Sequence, residues 1–437
     1  MTLVASGTGD VAGITRRAAE RLRAGHLWVY RSDVERQPVG AGDPVPGGAL
    51  VTVVDGRGIP LGTALYSDAS EIALRMVSRQ AGVTRAEYLG EVRERVRAAI
   101  RLRQRVVPEA SSRAGDRAAA GETNAAASRS AAAGETNACR LVFSEADELP
   151  GIVADRYGEL VVLQLLTQGT AQEDVRAVLA EDLAEQSWVT TVVEREDARV
   201  RELERLAAAP EAPLFVREGC EAALKTVFAI NGVRFHFDAE AGQKTGAFLD
   251  QRLNYAAAAK WARGRAMDVC TYQGGFALHL ARVCERVTGV DASRAALEVA
   301  DRNLELNPGL TARVDWIEAD AFELLRDYAE AGERFDSIVL DPPAFAKTKR
   351  ATEGALRGYK ELNLRAMKML SAGGTLVTCS CSHHVGMEEF TGVVRAAAVD
   401  AGRRVQVLEM RGAAPDHPAI LTLPETSYLK CLVCRVA

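Results

Sequence analysis

Five places in this 437-residue sequence hold side chains whose types and spacing could do chemistry: Asp268 with the loop to Gly274-Gly275, Asp291, Asp320, Asp341-Pro-Pro343, and Ser380-Cys381-Ser382. Each follows a short apolar run. A single Asp in that position is ordinarily a turn residue or a helix cap, but three carboxylates ending successive runs exceed what packing requires. In Asp268-Val-Cys-Thr-Tyr-Gln-Gly-Gly-Phe276 the first residue is acidic and the paired glycines come late. A dinucleotide fingerprint instead has its glycines immediately after the strand, where backbone meets a pyrophosphate. The carboxylate of Asp268 would repel phosphate. It suits a ligand with a cationic amino-acid end, and Gly274 and Gly275 would let backbone approach that ligand closely. Asp291, 23 residues further on, is placed to accept both hydroxyls of a ribose, and Asp320 to meet an adenine amino group. S-adenosylmethionine presents all three groups.

The elements that must position these residues are legible as apolar runs. Strand candidates are Ala266–Cys270, Val287–Val290, Val314–Ile317, Phe335–Leu340, Thr375–Cys379, Val405–Leu408 and Tyr428–Val433, with helical patterns between most of them. Such alternation predicts an α/β fold, a mostly parallel Rossmann-like sheet with helices on both faces, binding its ligand beyond the carboxyl ends of the strands. Upstream, Leu50–Val54, Gly62–Tyr66 and Ile72–Met76 read as the strands of a small β-barrel. An arginine-rich helix from Arg85 to Arg105 follows, with Tyr88, Val92, Val96 and Ile100 at helical spacing. Residues 111–138 contain Ala-Ala-Ala-Gly-Glu-Thr-Asn-Ala twice and no large apolar side chain, so they are expected to form a flexible insertion. A central α/β region runs to about Lys225, with strands at Leu160–Leu166 and Trp188–Val193 around a helix from Gln172 to Ala184.

Composition sets limits. Hydrophobic residues make up 48% and charged residues 26%, which excludes collagen-like, coiled-coil and wholly disordered chains. The formal net charge of −5 conceals a basic front, since residues 1–110 carry 16 Arg, no Lys and 12 acidic residues. A basic module on an acidic body can grip phosphates locally. Neither a signal sequence nor a membrane-spanning run is evident, which reads as cytoplasmic. The eight cysteines are expected to be reduced thiols.

Taken together, Gln243-Lys-Thr-Gly-Ala-Phe-Leu-Asp-Gln-Arg252, Asp268 to Phe276, Asp341-Pro-Pro-Ala-Phe-Ala-Lys347 and Ser380-Cys-Ser382, with Gly25-His-Leu-Trp-Val-Tyr30 at the front, resemble the class I S-adenosylmethionine-dependent methyltransferases that make 5-methylcytosine in large-subunit ribosomal RNA. The resemblance covers nearly the whole chain apart from the alanine-rich repeat. It implies a PUA-like RNA-binding domain at 1–80, a central α/β domain at 81–225 and a methyltransferase domain at 226–437. It further implies that Lys244 to Arg252 packs beside the cofactor. The cofactor contacts would be Thr245, Phe248, Asp268, Cys270, Tyr272, Gly274, Gly275, Asp291, Asp320, Ala321 and Asp341. Cys381 would be the nucleophile, and Asp341 would hydrogen-bond the cytosine edge. The implied partner is ribosomal RNA, with a homodimer as a further option and neither metal nor membrane.

Chemistry gives an independent reason for a thiol. Carbon 5 of cytosine is too electron-poor to take a methyl group directly, whereas a thiolate added at carbon 6 makes it enamine-like. Asp-Pro-Pro followed by an aromatic also resembles the motif of exocyclic-amine methyltransferases, which need no thiol. Ala344 inserted before Phe345, and Cys381 itself, count against that alternative. Cys270, Cys284, Cys379, Cys431 and Cys434 are expected to pack as small hydrophobes. The group Cys379, Cys381, His383 and His384 lacks zinc-ligand spacing, and His279 is expected on a helix surface. The base that takes the carbon 5 proton is unassigned.

Overall fold

The computed structural model describes residues 10–40, 43–108, 135–240, 247–346 and 349–437. At the front, a seven-stranded sheet between Val11 and Ser78 wraps around Ile14, Val29, Val51, Val53 and Leu74. The three expected strands appear as Leu50–Val54, Pro60–Tyr66 and Ile72–Ser78, paired antiparallel in succession.

The helix Arg85–Val106 starts at a capping box between Thr84 and Glu87 and buries Tyr88, Val92, Val96 and Ile100, the four residues its periodicity selects. Most of its arginines face protein, while Arg101 and Arg105 are exposed. Arg85 pairs with Asp174, Arg93 with Glu181, Arg97 with Asp182 and Glu185, and buried Arg103 with Asp147. The helix is thereby clamped to the central five-stranded sheet. Three of that sheet's strands, Ala138–Phe143, Ile152–Tyr157 and the two-residue Phe215–Val216, were not expected from the sequence. Asp155 and Arg156 interrupt the apolar pattern of the second, yet both are buried: Arg140 holds Asp155 through two hydrogen bonds, and the Arg156 guanidinium lies 3.6 Å from the centre of the Trp188 ring.

Most of the repeat lies outside the described residues, but its last three positions correct its expected extent. Ala138 opens a strand. Thr136 Oγ1 accepts a hydrogen bond from the Asn231 amide, and Asn137 Oδ1 accepts one from the Ala229 amide. Polar side chains that satisfy a neighbour's backbone need no core of their own. That neighbour is a hairpin, Lys225–Ile230 with Val233–Asp238. Tyr157 of the central sheet stacks on its Phe237 at 4.0 Å. Phe228 and Phe235 join the same apolar cluster as Tyr255 and Phe276 further along the chain, so the central and carboxy-terminal parts share one core.

All seven expected strands of the last part are present. They are β1 (Arg265–Val269), β2 (Arg286–Asp291), β3 (Arg313–Glu318), β4 (Phe335–Leu340), β5 (Leu370–Ser380), β6 (Val405–Arg411) and β7 (Lys430–Val436). Their order is β3-β2-β1-β4-β5-β7-β6, and β7 alone runs against its neighbours. Helices α1 (Arg252–Trp261), α2 (Gly275–Leu280) and α3 (Arg294–Glu305) lie on the face shared with the hairpin. On the other face α4 (Ala321–Glu330), α5 (Thr352–Met369) and α6 (Met387–Asp400) pack around Leu325, Tyr359 and Phe390. The order reverses between β1 and β4, and ligands in open α/β sheets bind at that point.

Candidate active site

At the end of β1, Asp268 is fully buried. Its Oδ2 accepts hydrogen bonds from the Thr271 hydroxyl and from the amide of Ala277 in α2. Its Oδ1 makes no hydrogen bond among the described residues. Burial pushes the carboxyl up to about 7, against the pull of Thr271 and Ala277. A cation reaching Oδ1 would complete the group. The loop that follows is strained, because Cys270 and Tyr272 adopt φ of 63° and 51°, the left-handed region that side chains disfavour. Burial drives the Cys270 thiol far up, so it is neutral. Gly274, with φ 86°, is the N-cap of α2. A Cβ on Gly275 would stand 2.6 Å from the Tyr255 hydroxyl. The second glycine is therefore required by the packing of Tyr255, independently of any ligand. His279, expected on the surface of α2, is buried instead between Gly275 and the hairpin carbonyl of Ile230, and burial lowers it to about 4.

Asp291 ends β2 with both oxygens engaged. Oδ2 accepts from the Tyr272 amide and Oδ1 from the Ser293 amide, which orients the carboxylate toward the end of the strand. Each oxygen keeps a lone pair for a further donor. Asp320 caps α4, its Oδ1 accepting from the amides of Phe322 and Glu323. That makes it a helix cap first; Ala321 follows as the first helical residue. An open pocket of about 450 Å³, solvent-facing space included, lies over the β1 end, lined by Phe248, Cys270, Tyr272, Gly275, Phe276, Asp341 and hairpin aromatics. Phe248 and Tyr272 meet edge to face at 5.2 Å. Asp291 and Asp320 do not line this pocket, and Thr245 lies outside the described residues.

Asp341 follows β4. Its Oδ1 accepts a hydrogen bond from the buried Gln251 amide, whose own oxygen accepts from Asn254. Loss of solvent, and then the nearby carboxylates Asp250 and Asp268, raise Asp341 to about 8. β5 ends at Ser380, so Cys381 has left the strand, and its thiol reaches the Pro342 carbonyl at 3.9 Å. Cys379 is fully buried opposite Cys431, and burial and that neighbour hold its thiol neutral. His383 and His384 are exposed, with His383 leaning on the Tyr428 ring at 5.3 Å. Among the described residues no three potential metal ligands converge.

Sequence reasoning missed several groups around this centre. Tyr428 donates to Asp250 Oδ2 at 2.5 Å, Tyr359 shares a hydrogen bond with Ser382, and Lys430 is buried under the Cys381 segment. Only Lys430 had a readable signal, as a lysine inside a run of buried-strand character.

A reversed seventh strand, acidic ends on β1 and β2 and a glycine-paired loop beneath an apolar pocket define an S-adenosylmethionine-dependent methyltransferase. A family model described as S-adenosylmethionine-dependent methyltransferase matches residues 193–432, and a PUA-like domain model matches residues 13–79. The ribosomal RNA large subunit methyltransferase I of Shewanella amazonensis is 36% identical over 94% of this chain and 95% of its own. The protein of the same name from Shewanella denitrificans is 42% identical over 68% of this chain and 74% of its own. A methyltransferase-fold structure from Streptococcus mutans superimposes with a TM-score of 0.74 at 16% identity, covering 97% and 99% of the two chains. The chain belongs to the ribosomal RNA large subunit methyltransferase I family.

Proposed function

We propose that this enzyme methylates carbon 5 of a cytosine in large-subunit ribosomal RNA through a transient covalent bond from Cys381 to the base. The observation that carries the reading is the thiol of Cys381 at 3.9 Å from the Pro342 carbonyl, beside Asp341 at the pocket wall. The names of the relatives and the PUA-like front support ribosomal RNA as substrate, and the cytoplasm as the place of action follows from that substrate. The three-part division at about residues 80 and 225 is retained as a proposal, with the repeat ending before Thr136.

S-adenosylmethionine, when bound, supplies an electrophilic sulfonium methyl. The unsatisfied Oδ1 of buried Asp268 fits its ammonium end, and the ribose-accepting role falls to Asp291. Phe248, Cys270, Tyr272, Gly274 and Gly275 would form the walls, with Asp320 and Ala321 toward the adenine and Thr245 assigned by resemblance. Cys381 adds to carbon 6 as the thiolate. Asp341, raised to about 8, holds a proton at neutral pH and donates it in a hydrogen bond to the pyrimidine edge where charge develops. Once carbon 5 has been alkylated, its proton leaves, the bond from sulfur to carbon 6 breaks, and the electron pair returns to sulfur.

Incubating unmodified ribosomal RNA with enzyme and S-adenosylmethionine, followed by bisulfite sequencing, should reveal a protected cytosine. Methylation found on an exocyclic amine instead would replace this reading with the alternative that needs no thiol.

A further inference from the structure

Lys430, the first residue of β7, is 4% exposed. Its Nζ donates to the carbonyls of Ser382 and Tyr428, both at 2.6 Å, and no carboxylate of the described residues lies within ion-pair distance of it. A buried ammonium held by two carbonyls has part of its hydrogen bonding met but not its charge compensated, an unfavourable state that proteins rarely retain without a use. Ser382 adjoins Cys381, so the ammonium sits directly beneath the segment that carries the thiol.

We propose that Lys430 is the counter-ion of the Cys381 thiolate: it holds the sulfur ionised before attack and receives the negative charge back when sulfur leaves carbon 6. The proposal rests on the reading of Cys381 as nucleophile. In forming the pair, the thiol proton passes to water and the ammonium keeps its three protons. When sulfur bonds to carbon 6 its charge moves into the ring, leaving Lys430 uncompensated again, which favours the later elimination.

The remaining titratable groups around the pair are neutral or turned elsewhere. Tyr359 from α5 bonds to Ser382, and its burial raises it; Tyr428, ahead of β7, bonds to Asp250 and is raised well above the ordinary phenol value. His383, exposed at its outer edge, is lowered by the solvent lost on the side of its ring that faces Tyr428 and then by Lys430. Glu389 of α6 caps its own helix through the Gly386 amide. Burial lowers Lys430 to about 8, opposed first by Cys381 and then by Glu389. Lys430 is thus a positioning residue that acts through the sulfur.

The test is the pH dependence of iodoacetamide alkylation at Cys381, followed by peptide mass spectrometry on the full chain, which needs neither RNA nor turnover. The wild type should react with an inflection at least one pH unit below the ordinary thiol value of about 8.5. Lys430→Met should move that inflection up by one unit or more and cut kcat for methylation at pH 7 at least tenfold, with recovery toward pH 9 and an unchanged KM for S-adenosylmethionine. Lys430→Arg, which keeps the charge, should retain the low inflection. A wild-type inflection at or above the ordinary value would overturn the proposal even if no variant folds, as would Lys430→Met titrating like wild type. Cys381→Ser retaining methylation would remove the nucleophile reading, a failure distinguishable from that of the ion pair because alkylation reports the pair alone.

Discussion

Asp268 is a carboxylate whose proton should be coupled to the cofactor. With its folded value raised to about 7, the group is largely protonated at pH 6, and a ligand cation at Oδ1 favours the ionised form. Calorimetric affinity for S-adenosylmethionine should therefore rise up to tenfold per unit as pH goes from 5.5 to 7, and Asp268→Asn should flatten the dependence. The same shift acts on stability. A carboxyl raised by folding contributes stability that is full below its unfolded value near 4 and is lost as pH rises through 7, because the folded state holds the proton that the unfolded state has released. The melting temperature of Asp268→Asn relative to wild type, measured without cofactor, should be more favourable at pH 8 than at pH 5. Asp291→Ala should weaken cofactor binding by about 1.5–3 kcal/mol, since it removes a charged acceptor and loosens the Tyr272 amide that the carboxylate holds. Affinity unchanged in that variant would remove Asp291 from the site.

At the scale of elements, the strands of the methyltransferase sheet were legible because buried parallel strands read as continuous apolar runs. In the central sheet Leu160–Leu165 and Thr191–Glu194 were legible in the same way, but Ile152–Tyr157 was not, because Asp155 and Arg156 are buried through long-range partners that no local pattern discloses. The site divides the same way. Strand-end carboxylates and Cys381 could be read from their positions, whereas Asp250 with Tyr428, and Gln251 with Asn254, are brought together only by tertiary packing. Gly275 has a protein neighbour that the sequence did not disclose: Gly275→Ala should displace Tyr255 and cost about 1–3 kcal/mol in thermal or denaturant unfolding. The end of the alanine-rich repeat supplies another check. Extending a deletion from 111–134 to 111–138 should cost about 1–3 kcal/mol more, because it strips Thr136 and Asn137 from the amides of the hairpin.

For the whole molecule, the core that joins the hairpin to both the central sheet and α1–α2 means that the carboxy-terminal domain is not cleanly severable at Thr226. A fragment beginning at Val83, which keeps the helix Arg85–Val106 on the central sheet, should bind cofactor and melt cooperatively, while one beginning at Thr226 should melt lower, with Phe228 and Phe237 deprived of Tyr157. The fragment from Val83 lacks the PUA-like front and should bind ribosomal RNA more weakly than the whole chain, with a shallower salt dependence. The arginines of the helix Arg85–Val106, which that fragment keeps, should add little to its remaining RNA affinity, since the carboxylates of the central domain already hold several of them.

The central claim, a covalent bond from Cys381 to carbon 6, is tested most directly with an RNA fragment bearing 5-fluorocytosine at the target position. Fluorine cannot depart as a proton, so the reaction should halt with enzyme and RNA linked, and peptide mapping should place the link on Cys381. Cys381→Ala should give no adduct while binding S-adenosylmethionine nearly as wild type does. An adduct on Cys379, or none at all from an enzyme that methylates the unmodified fragment, would contradict the account.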